Sequence, residues 1–178
     1  MTEEELKALV RTIPDFPAPG VQFRDITTLI GHGAGFAATV DRLAHHASAS
    51  GAQGIAGMEA RGFIFGAAVA AKLSLPFIPI RKPGKLPCEV IGIDYHLEYG
   101  TDRLEMDPQA VSAGQPIVIV DDLLATGGTA SAATKLLREA GADVSHAAFV
   151  IDLPDLGGRD ALDALDVAVF ALMDFAGE

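Results

Sequence analysis

Asp121 and Asp122 close an apolar run, "PIVIVD" at 116–121, and a Gly127-Gly128 pair flanked by Thr126 and Thr129 follows a few residues on. Neighbouring carboxylates repel each other unless they accept hydrogen bonds from vicinal hydroxyls or hold a hydrated Mg²⁺. A glycine- and threonine-rich turn leading into a helix has the opposite preference, because its free N–H groups and the helix dipole favour a phosphate. In that turn the amides of Ala125, Thr126, Gly127, Gly128 and Thr129 form the candidate nest, and the threonine hydroxyls add donors. A ribose carrying one phosphate satisfies both demands, with its 2′- and 3′-hydroxyls on the acids and its 5′-phosphate on the turn. The Walker A lysine is missing, and so is the G-x-G-x-x-G fingerprint of dinucleotide sites. Two acids closing a strand are, by themselves, usually a solvated turn. The ordered string "VDDLLATGGT" is what moves the reading to a ligand site.

These residues need a scaffold that holds strand ends side by side. Strand-like apolar runs occur at 54–58, 75–80, 116–121, 143–151 and 166–172, with helical periodicity at 34–49, 62–73 and 129–140. Apolar strands without polar alternation, separated by helices, predict a parallel sheet covered on both faces, with ligands beyond the carboxyl ends of its strands. Thr2 followed by Glu5 forms a capping-box pattern that starts a short N-terminal helix. The run "PDFPAPG" at 14–20 reads as an irregular connector. Segment 81–107 breaks the α/β rhythm and reads as an inserted antiparallel hairpin, with extended stretches near 88–98 and 101–106.

Composition narrows the class. The chain has 178 residues and a formal charge of −11, from 24 acidic and 13 basic residues, and this argues against nonspecific nucleic-acid binding. Cys88 is the only cysteine, so neither an intramolecular disulfide nor a thiolate cluster is expected. The acidic start lacks the basic and apolar regions of a signal peptide, and no apolar run reaches the roughly 18 residues of a membrane span. The expectation is a single-domain cytoplasmic protein with no membrane or nucleic-acid partner. His45 and His46 lack metal-ligand spacing and read as surface residues, His96 has no assigned role, and Met58 and Cys88 read as packing or loop residues.

The string at 120–129 resembles the phosphoribosyl-pyrophosphate (PRPP) signature of the type I phosphoribosyltransferases. "FPAPGVQFRDIT", "GMEARGFIFG", "IRKPGKLP" and "LEYGTDRLE" are similar, in that order, to the adenine-specific branch of the family. The resemblance spans nearly the whole chain. It implies a type I phosphoribosyltransferase fold in one domain, 1–178, with an N-terminal hood and base-pocket segment at 1–33 and a flexible flap at 81–107. It implies adenine and PRPP as substrates, AMP and pyrophosphate as products, Mg²⁺ on the diphosphate and a homodimer. Asp121 and Asp122 would meet the ribose and the metal, directly or through water. Glu59, Ala60 and Arg61, with Arg81, Lys82 and Lys85, would hold pyrophosphate, the family loop at 59–61 often containing a non-proline cis peptide. Phe23 would stack on the base, backbone groups of Gln22 and Arg24 would read its edge, and Leu153 would line the other face. In the flap, the resemblance gives Glu98 a proton-exchanging role at the imidazole side of the purine and makes Tyr99 part of the lid.

Two alternatives remain open on sequence alone. A transferase for xanthine or guanine would differ only in how the base edge is read, and backbone-mediated contacts leave little trace in sequence. A noncatalytic PRPP sensor would be expected to carry an added nucleic-acid-binding segment. The acidic stretch of about 20 residues before the family core is too short for a winged helix.

Overall fold

The computed structural model of the protein describes residues 1–97 and 100–177. The chain begins with helix α1 (Glu3–Lys7), strands β1 (Arg11–Pro14) and β2 (Gln22–Asp25), and helices α2 (Thr27–Gly31) and α3 (Gly33–Ala49). Then come β3 (Gly54–Met58), α4 (Arg61–Leu73), β4 (Phe77–Ile80) and the pair β5 (Ile91–Leu97) and β6 (Gly100–Met106). The last third holds β7 (Pro116–Leu124), α5 (Gly128–Glu139), β8 (Asp143–Asp152), α6 (Gly158–Asp163) and β9 (Ala168–Asp174).

Five parallel strands form the central sheet, in the order β4-β3-β7-β8-β9. The order reverses between β3 and β7: the chain winds outward from β3 to β4, then returns to β7 and winds the other way. Such a reversal opens a crevice at the carboxyl ends of the two central strands. Along β7, Ile117 and Ile119 pack toward α5 and α6, while Val118 and Val120 pack toward α2, α3 and α4. Both faces of the strand are apolar because both are covered, which is why the run shows no polar alternation. Each large side chain buried this way contributes about 1.5–3 kcal/mol.

The capping box is present: the Thr2 hydroxyl accepts from Glu5 N–H at 3.2 Å, and Thr2 N–H donates to the Glu5 carboxylate at 2.8 Å. Helices α3, α4 and α5 lie within a residue of the predicted ranges, and Ala132, Ala133, Leu136 and Leu137 of α5 are buried as their spacing predicts. Strand β7 runs to Leu124, further than expected, because β8 pairs with it as far as Asp152. Asp122, as well as Asp121, therefore belongs to the strand. The proline-rich connector is flanked by an unexpected antiparallel pair, β1 with β2. There Asp25 accepts hydrogen bonds from the Thr27 hydroxyl and amide and pairs with Arg11, which holds its pKa down at about 2. Helices α2 and α6 are also unforeseen.

The inserted hairpin is the antiparallel pair β5–β6. It is anchored: Tyr95, Leu104 and Met106 are buried in the same cluster as the apolar face of α5.

Candidate functional site

The ends of β3 and β7 frame a cavity of about 270 Å³, lined by Met58 to Arg61, Lys82 and the run Asp121 to Ala130. The two acids in it differ. Asp122 is buried, 4% exposed, and its Oδ2 lies 2.8 Å from the Arg61 Nε. Asp121 keeps some exposure to the cavity, yet its carboxyl is walled in by protein. Burial first, and the neighbouring charge of Asp122 second, push its pKa well up. Gly62, at the start of α4, permits that enclosure, since a Cβ there would stand 2.5 Å from the Asp121 Oδ1. The same oxygen accepts the Asp122 N–H at 2.9 Å.

Helix α5 begins at the turn after β7. Its N-cap, Gly127, has φ +81° and provides no side-chain cap, and the first helical bond runs from Ser131 N–H to the Gly127 carbonyl. The amides of Gly128, Thr129 and Ala130 belong to the four orphan donors that every helix start presents. All three residues line the cavity. Glycine is required at 127 for two reasons, the left-handed backbone and the crowding of α6: a Cβ would lie 2.9 Å from the Gly158 carbonyl and 3.0 Å from the Ala161 Cβ. At Gly128 a Cβ would lie 3.7 Å from the His96 carbonyl of the hairpin, so β5 borders the turn.

The predicted clamp residues are spread over this end of the sheet. The Glu59–Ala60 peptide is cis. Arg81 donates from Nε to the Glu59 carboxylate at 2.7 Å and exchanges two backbone hydrogen bonds with Glu105. Lys82 reaches into the cavity and bonds the Tyr95 hydroxyl at 3.1 Å and the Asp102 carboxylate. Burial works against the charge on Lys82, but the bonds to Asp102 and Tyr95 outweigh it and leave its pKa raised. The Lys82 bond in turn lowers the pKa of Asp102. Lys85 is exposed and does not line the cavity.

A second cavity, of about 340 Å³, opens beside the first and is lined by Val21 to Arg24, Arg61, Leu123, Thr126, Leu153 and Leu156. The Phe23 ring meets Phe16 edge-on at 5.1 Å, and the Arg61 guanidinium lies 5.9 Å from its centroid. The Arg24 side chain points elsewhere: it donates to Thr12 and to the Ala176 carbonyl and stacks over Phe175. Only its backbone remains for the cavity. Arg61, Leu123 and Thr126 line both cavities, so the two adjoin at these residues.

Sequence reasoning missed Tyr95 and Asp102, which bond Lys82, and Val21, Leu123 and Leu156, which complete the second cavity. Tyr95 carried a signal, as an apolar position alternating with polar ones in a hairpin. Asp102 carried none. Glu98 and Tyr99 lie outside the described residues. His45 is exposed as expected, and His96, given no role, is exposed as well. His46 corrects the surface reading: it is half-buried, stacked on Phe170 at 4.4 Å, and burial followed by the nearby His146 lowers its pKa. Among the described residues no group of three or more His, Cys, Asp or Glu is placed to hold a metal, and no helix is long and apolar enough to cross a membrane.

Residues 30–175 match the model of the phosphoribosyl transferase domain family. Adenine phosphoribosyltransferase of Novosphingobium aromaticivorans is 67% identical over 99% of both chains, and that of Nitrobacter hamburgensis is 57% identical over 98% of both. Among solved structures, adenine phosphoribosyltransferase of Thermoanaerobacter pseudethanolicus superposes with a TM-score of 0.93 at 45% identity, covering 98% of this chain and 100% of that one. The Saccharomyces cerevisiae enzyme, complexed with an imino-altritol bisphosphate and adenine, gives 0.90 at 36% identity, covering 96% and 98%.

Proposed function

We infer from this site, in a chain that belongs to the adenine phosphoribosyltransferase family, that the protein transfers the 5-phosphoribosyl group of PRPP to adenine. The products are AMP and pyrophosphate. One observation carries the reading: an apolar slot and an anion cavity meet at Arg61, Leu123 and Thr126. A nucleoside monophosphate has that composition, a flat base joined through a sugar to a phosphate.

The bond from C1 of the ribose to the pyrophosphate oxygen breaks with both electrons leaving on oxygen, and the lone pair of adenine N9 forms the new bond to C1. The N9 proton is taken up by a base, the role proposed for the Glu98 carboxylate. Cleavage leads through an oxocarbenium-like state, so the protein must stabilise the departing charge and hold the base in line. In the proposed arrangement the α5 amides take the 5′-phosphate, and Asp121 and Asp122 accept from the ribose hydroxyls. Arg61, Arg81, Lys82 and Lys85, with the Glu59–Ala60 turn, receive pyrophosphate. Phe23 and Leu153 enclose the adenine ring while the backbone of Gln22 and Arg24 reads its edge.

Mg²⁺ fits this site as a passenger on PRPP and not as a caged ion. Three carboxylates line the cavity, and two of them are already engaged, Glu59 by Arg81 and Asp122 by Arg61. Mg²⁺ keeps several waters and binds largely through substrate phosphates in such sites, and it would neutralise diphosphate charge there. Asp121 and Asp122 would hold its water shell. We further propose a cytoplasmic homodimer, with the segment 80–87 near the subunit boundary, and residues 81–107 as the lid over the reacting atoms.

Leu153→Trp tests the division of the site. A bulky ring in the second cavity is expected to raise the KM for adenine about tenfold or more while the KM for PRPP stays within about twofold, since pocket discrimination acts on the group the pocket receives. Equal losses for both substrates, or none for either, would contradict it.

A further inference from the structure

In this structure each clamp cation next to the cavity already has a carboxylate. Arg61 is paired with Asp122, Arg81 with Glu59, and Lys82 with Asp102. The first two carboxylates belong to the site by the reading above. Asp102 does not: it sits on β6, outside the cavity lining, and reaches Lys82 from the hairpin side. Tyr95 completes the group, its hydroxyl lying 3.1 Å from the Lys82 Nζ and 3.2 Å from the Asp102 Oδ2.

We propose that Asp102 is a built-in competitor of pyrophosphate: it holds the Lys82 ammonium until diphosphate enters the anion cavity and must give it up when diphosphate arrives. The inference rests on the reading that this cavity receives diphosphate. An ammonium has three donors but one charge, so sharing it between Asp102 and an incoming phosphate weakens each interaction. The exchange offsets part of the attraction between a highly charged leaving group and its clamp, and so favours release of the product. Asp102 touches no substrate in this scheme and acts through Lys82. Its position on the hairpin also ties the state of the clamp to the segment proposed as the lid.

Both side chains of the pair are partly exposed, 35% for Lys82 and 29% for Asp102. The competition is therefore modest, and Asp102→Asn is expected to tighten pyrophosphate binding about three- to fivefold, the range of a partly exposed ion pair. Calorimetric titration with magnesium pyrophosphate reads this directly. Asp102→Glu, which keeps the charge, should stay within about twofold of wild type. In a Lys82→Met background, Asp102→Asn should no longer change the affinity, because the cation that the two anions compete for is gone. Should the asparagine variant fail to fold, Asp102→Ser removes the same charge with a smaller side chain. Weaker binding in Asp102→Asn would mean that Asp102 positions Lys82 for the anion, and unchanged binding would mean that it has no part; either overturns the proposal. Failure of the wild-type protein to bind pyrophosphate would instead remove the reading of the cavity itself.

Discussion

Asp121 and Asp122 share a chemistry but not an environment. Asp122 is compensated by Arg61, whereas Asp121 lies under Gly62 with its pKa pushed up by burial and by its neighbour. A ribose diol donating to both would relieve the repulsion between them. Asp121→Asn and Asp122→Asn are expected to lower kcat/KM for PRPP at least about tenfold, the cost of one or more charged hydrogen bonds, with circular dichroism unchanged. Asp122→Asn should be the more harmful, because it also releases Arg61 from its place between the two cavities. Unchanged kcat/KM in both variants would end the assignment. These acids and the turn after them are legible because the whole string is contiguous. The ion pairs are not: Lys82 finds Asp102 twenty residues on, through a hairpin register that no local pattern encodes.

At the scale of elements, the long helices and the parallel strands are legible because their apolar periodicity extends over two or more turns or a whole strand. What escapes is short or shielded by turn residues. Strands β1 and β2 have four residues each around a proline-rich loop, and α6 has six, too few for a period to emerge. The extension of β7 past the acids is hidden because a carboxylate ordinarily marks the end of a buried strand, and here the pairing of β8 carries the ladder on. The hairpin is legible as an antiparallel insertion, and the alternation of Ile91, Ile93 and Tyr95 with polar residues marks one face for burial, but no local pattern says that this face packs on α5. Its buried Tyr95, Leu104 and Met106 fix its base against α5 beside the Gly127-Gly128 turn. A lid must exclude water from an oxocarbenium-like centre, and the carboxylate proposed for proton exchange, Glu98, falls between the two hairpin strands in sequence. Glu98→Gln is expected to lower kcat at saturating substrates by at least about tenfold with PRPP affinity nearly kept, a floor set below the roughly 10²–10⁴-fold that general acid–base assistance typically supplies. Wild-type turnover would leave the hairpin as a water shield only.

For the whole molecule, the central feature is the reversal of strand order between β3 and β7, which places the Glu59–Arg61 turn and the Asp121–Thr129 run on the two walls of one crevice. Strand β2, paired with β1, brings Gln22 to Arg24 to the second cavity, so the proposed base site and the proposed phosphate site come from parts of the chain about a hundred residues apart. Dimerisation would add a second copy beside the 80–87 segment, and closed twofold dimers are the commonest homo-oligomers. Sedimentation at assay concentrations should therefore give a dimer, and a fully active monomer would contradict it. The most direct test of the account is pyrophosphate release from PRPP and Mg²⁺ with adenine, hypoxanthine, guanine and xanthine supplied in parallel. The account predicts rapid release and AMP formation with adenine and at least about a hundredfold lower kcat/KM with the other three, the discrimination available to a site that hydrogen-bonds the base edge. A clear preference for any other base, or no release with adenine, would contradict it.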